Sequence, residues 1–326
     1  MASNIPTLAD VRQAAHRIKG IALETPLLES PVLSRRLGGR LFVKAENLQV
    51  TGSFKLRGAA NRIAALSAEE RTRGVIARSS GNHGLAMAYC AGRMGTTCVV
   101  VAPDTAPAVK IDGMKAFGAR VVQVPMADLS ETAIALARTE DRIYVPPADD
   151  FHVVAGAGTV GLEIAEQAER AGVTIDMLLT CCSGGGLTAG CLLGFSGASP
   201  ATRVHAVEAA GFEKMAQSMA AGARVDLAPS DARSICDAIT GFYMAALPFE
   251  IIRPRLAGTL AVTDREACEA MRIAFGEFGL VVEPGGAVAL AALLSGRMEL
   301  QGRTAVATLS GRNVDPVLAA SILGQA

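Results

Sequence analysis

The chain has 326 residues, half of them apolar, with 31 Lys and Arg balanced by 31 Asp and Glu. That balance offers no basic face for counterion release from nucleic acid, and the lack of Trp with only 4% aromatic residues offers no base-stacking platform. No unbroken apolar run reaches the ~18 residues of a membrane span, so the expected partner is a small molecule, with neither nucleic acid nor membrane.

The first twenty residues include Asp10, Arg12, His16, Arg17 and Lys19, without the apolar stretch of a secretory signal. Seven cysteines lack paired C-x-x-C spacing, and a reduced cytoplasmic protein is expected. Along the chain, short apolar runs at 41–44, 74–77, 97–101, 120–124, 177–179, 204–207 and 305–309 read as buried strands separated by helix-like patterns. This alternation predicts an α/β fold with mostly parallel sheets. The turn-rich stretch 146–150 is a candidate domain crossing.

The first segment with chemical content is Thr51-Gly52-Ser53-Phe54-Lys55-Leu56-Arg57-Gly58. Ser53 is placed as the N-cap of a helix starting near Phe54, which puts Lys55 in the first turn. There the helix dipole and partial desolvation disfavour an ammonium, which suits an amine that attacks a carbonyl or takes a proton. The plainer alternative is a solvated lysine over a helix end. Next, Ser79-Ser80-Gly81-Asn82-His83-Gly84 follows a strand and leads through Leu85 into an apolar helix, forming a cradle for a carboxylate or a phenolic oxygen. Ser80 and Asn82 also suit helix N-caps, and His83 suits a packed structural role better than that of a base.

Gly156-Ala157-Gly158-Thr159-Val160-Gly161 matches the spacing of a dinucleotide fingerprint, but the residues before it make a poor strand. A nicotinamide oxidoreductase is therefore a distant alternative. Ser183-Gly184-Gly185-Gly186-Leu187 follows a strand and opens a helix, so its amides can converge on a phosphate; a tight packing turn is the competing reading. The vicinal pair Cys181 and Cys182 reads as small hydrophobes rather than a redox couple. Glu283 is expected to be buried, either beside a ligand or as a cap for the helix opening at Pro284.

Taken together and in order, SFKLRGA, SSGNHG, SGGGL, VEPGGA and LSGRNVD resemble the serine/threonine dehydratase and serine racemase family of fold type II pyridoxal phosphate enzymes, nearly end to end. The resemblance implies two three-layer α/β domains with the cofactor between them: residues 1–65 with 149–326, and residues 66–148. It also implies a homodimer. It makes Lys55 the lysine that binds the cofactor covalently and then acts as general base, with Phe54 beside the ring. Asn82 would sit on the phenolic oxygen, Ser183, Gly184, Gly185, Gly186 and Leu187 around the phosphate, Ser310 facing the ring nitrogen and Glu283 near the cofactor.

The implied reaction converts a β-hydroxy amino acid to a 2-oxo acid and ammonia. Ser80, on the opposite ring face, would allow racemisation, and an amino-acid racemase is the alternative. Ser79, Ser80, Gly81, Asn82 and His83 would bind substrate, with Leu85 and Ala148 toward its side chain. Leu85 replaces the family's usual glutamine and Ala148 a larger or polar residue, which suggests an apolar pocket open to a bulkier substrate such as phenylserine beside threonine and serine. Of the acidic pair in the family's metal site, Glu208 matches one member while Lys214 stands at the other. No metal is expected, and Lys214 is expected to pair with Glu208. Arg312 interrupts the usual Ser-Gly-Gly-Asn run, and Ala238 stands where glycine is common; neither has a consequence legible in the sequence.

Overall fold

Strands of Val, Ile, Leu and Ala with few polar interruptions need helices on both faces, and the computed structural model, which describes residues 5–228 and 231–324, supplies them. Among those residues the strands are β1 (Leu27–Glu29), β2 (Arg40–Lys44), β3 (Val75–Arg78), β4 (Cys98–Pro103), β5 (Arg120–Val124), β6 (Ile143–Tyr144), β7 (Met177–Cys181), β8 (Arg203–Ala209), β9 (Gly258–Val262) and β10 (Thr304–Thr308). They form a six-stranded sheet, β1-β2-β10-β7-β8-β9, and a four-stranded sheet, β5-β4-β3-β6. Every pairing is parallel except β1 with β2.

The protein is thus an α/β molecule of two helix-covered sheets, and the seven apolar runs of the sequence are all strands. The three strands not anticipated are β1, β6 and β9. Two of them have three residues or fewer, and β9 lies half-buried at a sheet edge, so none carries a long apolar run.

The G-x-G-x-x-G match has a packing explanation. Gly156, Gly158 and Gly161 lie inside the helix Phe151–Arg170, so no strand runs directly into them and they offer no helix N-terminus to receive a phosphate. A Cβ on Gly156 would come within 2.5 Å of the Arg57 carbonyl oxygen, and one on Gly161 within 2.8 Å of Cys191 Cα. These glycines let the helices Lys55–Ala64, Phe151–Arg170 and Gly186–Ala198 touch backbone to backbone. The dinucleotide reading therefore loses its structural basis.

Beneath the start of the Lys55 helix lies a buried ionic network. The Arg57 guanidinium, fully buried, donates to Glu46 Oε2 at 2.7 Å and to Glu163 Oε1 at 2.6 Å. Lys44 Nζ reaches Glu163 Oε2 at 2.8 Å and the Thr25 carbonyl at 2.6 Å. Two cations and two carboxylates balance, so each charge removed from water has a partner. The network ties β2, the helix carrying Lys55 and the helix Phe151–Arg170 together through Arg57, two residues after Lys55.

Candidate active site

Lys55 is the first residue of its helix, but Ser53 is not the cap: Phe54 occupies that position, and no side chain caps the helix. Ser53 instead bridges Gly311 through its backbone, and its hydroxyl is buried without a hydrogen-bond partner among the described residues. Half-buried, Lys55 Nζ donates to the Pro147 carbonyl at 2.7 Å and lies 5.1 Å from the centre of the Phe54 ring. Burial lowers its pKa to about 8, so an appreciable fraction of the amine is neutral near physiological pH.

The residues around Pro147 and Phe54 bring two further segments close to the Lys55 helix start. Ala148, next to Pro147, faces the glycine turn: a Cβ on Gly184 or Gly186 would lie 3.4 or 3.3 Å from the Ala148 methyl. Gly185 has φ of 87°, a left-handed conformation that favours glycine, and a Cβ there would strike Met244 at 2.5 Å. The turn between Ser183 and Leu187 therefore requires glycine at 185, and the helix Gly186–Ala198 opens without a side-chain cap. On the other side, Phe54 N donates to the Ser310 carbonyl at 3.1 Å and Ser310 N to the Gly286 carbonyl at 3.1 Å. Ser310 is buried, with its hydroxyl against the Cys181 thiol.

Asn82 opens the helix Asn82–Arg93 at the carboxyl end of β3, and Gly81 holds the cap position, so neither Ser80 nor Asn82 caps it. The Asn82 amide is held from both ends: its Nδ2 donates to Glu283 Oε1 at 2.6 Å and its Oδ1 accepts from Asn313 Nδ2, also at 2.6 Å. Asn313 in turn donates to the Thr51 carbonyl at 2.9 Å. Although Glu283 stands at the N-cap of the helix Pro284–Leu294, its side chain makes no capping bond, which removes the capping alternative. Its Oε2 is buried with no partner among the described residues. Burial pushes the carboxyl up to about 7, against the opposing influence of Lys110 and Asn82. Gly311 is obligatory beside it, because a Cβ there would collide with Glu283 Oε1.

The rise in the Glu283 pKa has a measurable consequence. From about pH 4.5 to about pH 7 the folded protein holds a proton on Glu283 that the unfolded chain has released, so this group's contribution to stability falls as pH rises through that window. Glu283→Gln is expected to flatten the pH dependence of the urea midpoint there. Parallel curves for the two proteins would refute the assignment.

The remaining candidates separate clearly. His83 is buried with Nε2 at 3.0 Å from the Val145 carbonyl oxygen, and burial, with Lys55 adding to it, lowers its pKa to about 3, so it is a neutral packing residue. Ser79 is half-buried and Ser80 exposed beside Gly81. Leu85 packs against Gly113 in the apolar core of the smaller sheet, so an apolar pocket rests on Ala148 and no longer on Leu85. Lys214 does not ion-pair with Glu208: its ammonium donates to the Ile239 carbonyl at 3.3 Å, while the Glu208 carboxylate accepts the amides of Met215 and Ala216 at 2.8 and 3.0 Å. Cys181 and Cys182 are buried, and burial raises both thiol pKa values, which keeps them unreactive.

Sequence reasoning missed the Pro147 carbonyl and Asn313, and it left Arg312 unexplained. Arg312 donates to the carbonyls of Asn47 and Gln49, and its own amide donates to the Gly52 carbonyl at 2.8 Å, fixing the loop that leads to Lys55. The signal for Asn313 lay in LSGRNVD, where the asparagine had no assigned partner.

An amine of lowered pKa, a glycine cradle at a helix start, a two-sided amide clamp and the unpartnered Ser53 hydroxyl fit a phosphorylated aromatic aldehyde. Comparison with known proteins agrees. Residues 18–311 match the family described as pyridoxal-phosphate dependent enzyme. The L-threonine ammonia-lyase of Thermotoga maritima is 34% identical over 95% of this chain and 76% of its own length. The L-threo-3-hydroxyaspartate ammonia-lyase of Saccharomyces cerevisiae is also 34% identical, over 95% and 94% of the two chains. The crystal structure of a threonine deaminase from the organism abbreviated T.th. superposes with a TM-score of 0.89 at 38% identity, covering 95% of this chain and 99% of the other.

Proposed function

Because this chain belongs to the pyridoxal-phosphate dependent enzymes, its cofactor being pyridoxal phosphate, we propose that it is an ammonia-lyase that dehydrates a β-hydroxy amino acid to a 2-oxo acid and ammonia. The observation that carries the reading is one amine, Lys55 Nζ, with a pKa lowered to about 8, bonded to the Pro147 carbonyl beside Ala148, which faces the glycine turn, and near enough to His83, the neighbour of Asn82, to lower its pKa. Residues Ser183 to Leu187 would hold the phosphate, Asn82 the phenolic oxygen, Phe54 the side of the ring, and Ser310 its nitrogen. When bound, the cofactor withdraws electrons from the substrate's α-carbon.

The chain supplies the rest. Backbone amides and hydroxyls from Ser79 to Asn82 orient the substrate carboxylate, with the neutral imidazole of His83 packed behind them. Lys55 Nζ takes the α-proton, and the β-hydroxyl leaves as water. The enamine released tautomerises and is hydrolysed, giving the 2-oxo acid and ammonia. A neutral Ser310 hydroxyl at the ring nitrogen would keep it unprotonated, which favours elimination over transamination. Racemisation is the competing outcome, in which the exposed Ser80 hydroxyl would act on the face opposite Lys55.

The substrate side chain would approach Ala148, whose methyl adds little bulk to the pocket. Arg78, at the end of β3 immediately before Ser79, donates Nε to the Tyr144 hydroxyl at 3.1 Å and has no carboxylate partner among the described residues. Its uncompensated charge favours an acidic β-substituent, whereas Ala148 favours an apolar one.

The test is ammonia release from threonine, serine, 3-hydroxyaspartate and phenylserine, with chiral analysis of the residual substrate. We expect 2-oxo acid formation from at least one of them to outpace inversion. Inversion without ammonia would replace the lyase reading by the racemase one, and no turnover of any would remove the β-hydroxy amino acid class.

A further inference from the structure

Gly81 and Asn82 are gripped from two sides, and only the inner grip belongs to the site just described. The outer one begins on the helix Ala108–Ala116, which packs beside the smaller sheet. From its first turn the stem of Lys110 runs over Gly81, where a Cβ would lie 3.1 Å from Lys110 Cδ and 3.4 Å from its Nζ. The ammonium then crosses to the short turn Asp237–Ile239 in the chain of the larger sheet and meets Asp237 Oδ2 at 2.7 Å. That turn is seated on the helix following Glu283: a Cβ on Gly285 would lie 3.4 Å from both the Ala238 methyl and Ile239 Cγ1.

The two cross-connections differ in kind. The inner one, from Asn82 to Glu283, is short and enclosed on the Glu283 side. In the outer pair the Lys110 side chain is 8% exposed and that of Asp237 is 54% exposed. An ion pair with one member in water is weak, so it can break and re-form while the enclosed contact persists. Lys110 also fills the space over Gly81, where only glycine leaves room for it.

We infer that Lys110 and Asp237 form a latch across the mouth of the cleft, and that Lys110 is a positioning residue which holds the Gly81 cradle closed over bound substrate. When the latch opens, the helix Ala108–Ala116 and the Gly81 turn move away from Asp237 and admit the amino acid. When it closes, the stem of Lys110 covers the cradle and excludes water. The inference rests on the cleft being the site proposed above.

The test uses holoenzyme carrying Lys110→Met, Asp237→Asn, or Lys110→Asp together with Asp237→Lys. Without substrate, each single variant should speed amide hydrogen exchange across 108–116, because the closed state is less populated. With substrate, KM should rise about five- to tenfold and by more than kcat falls, since apparent affinity scales with the closed fraction. The charge-exchanged double variant should recover most of the exchange effect by restoring an ion pair, but little of the KM effect, because the aspartate has no stem to cover the cradle. Exchange at 108–116 unchanged in Asp237→Asn, or as fast in the double variant as in the single ones, would overturn the latch. The exchange measurement needs no substrate, so it stands even if the assigned amino acid is wrong. Asp237→Asn, altered on the exposed side, keeps the test decisive if Lys110→Met folds poorly.

Discussion

Lys55→Ala is expected to abolish 2-oxo acid formation, by at least ~10³-fold, and to remove the visible absorbance of the protein as isolated. The side chain would serve twice, as the amine that binds the cofactor aldehyde and as the base at the substrate's α-carbon, so its loss removes both functions. Lys55→Arg should be equally inactive, because a guanidinium keeps the charge but stays protonated and cannot act as nucleophile or base. Neither change should unfold the protein, since Lys55 gives one hydrogen bond, to Pro147, and lies beside the ionic network rather than in it. Absorbance with excess cofactor and a coupled ammonia assay are sufficient. If Lys55→Ala retained a tenth of wild-type turnover, the amine would not be the base and the assignment of the cleft would fail.

The second large effect concerns stability. Arg57→Leu should lower the free energy of unfolding by ~3–5 kcal/mol, the usual cost of removing one member of a buried ion pair. Arg57 is fully buried and serves both Glu46 and Glu163, so its removal leaves Glu46 enclosed with only the Thr25 hydroxyl and the more distant Lys44. Burial pushes the Glu46 carboxyl up, and Arg57, with smaller help from Lys44 and Thr25, more than offsets this in the intact protein. Without the guanidinium, Glu46 should take up a proton on folding, so the deficit should shrink toward low pH. The control is Arg40→Leu. Arg40 pairs with Glu29 across a surface where their side chains are 48% and 31% exposed, and such a pair contributes ~0–1 kcal/mol. Urea midpoints of the two variants should therefore differ widely. Equal midpoints would show that the network contributes no more than a surface pair.

The pattern of apolar runs was enough to predict an α/β protein with parallel strands, because strands buried on both faces are mostly apolar and seven short apolar runs alternate with helical patterns. The lowered pKa of Lys55 was also legible, since a lysine at a helix start is electrostatically misplaced and partial desolvation was expected, and burial is the cause. The glycine turn at 184–186 was legible because runs of glycine cost entropy that packing seldom requires.

Other features depended on contacts between residues far apart in the chain. Ser53 looked like a cap from its neighbours, but its bridge to Gly311 turns it away from that role. Gly156, Gly158 and Gly161 had the spacing of a nucleotide loop, and only the two helices packed against them show that they serve backbone contact. Leu85 was placed toward substrate by the family resemblance, and its packing against Gly113 in the core of the smaller sheet could not be read from its neighbours. The clamp on Asn82 joins residues 201 and 231 positions away, and the pairing of Lys110 with Asp237 spans 127. Local propensity and periodicity report what each segment does by itself, and so the sequence determined most of the elements and the place of Lys55 at a helix start. Partners for buried charges and amides are set by how the sheets and helices dock, because burial makes pairing obligatory without specifying the partner, and that choice was made by the tertiary structure.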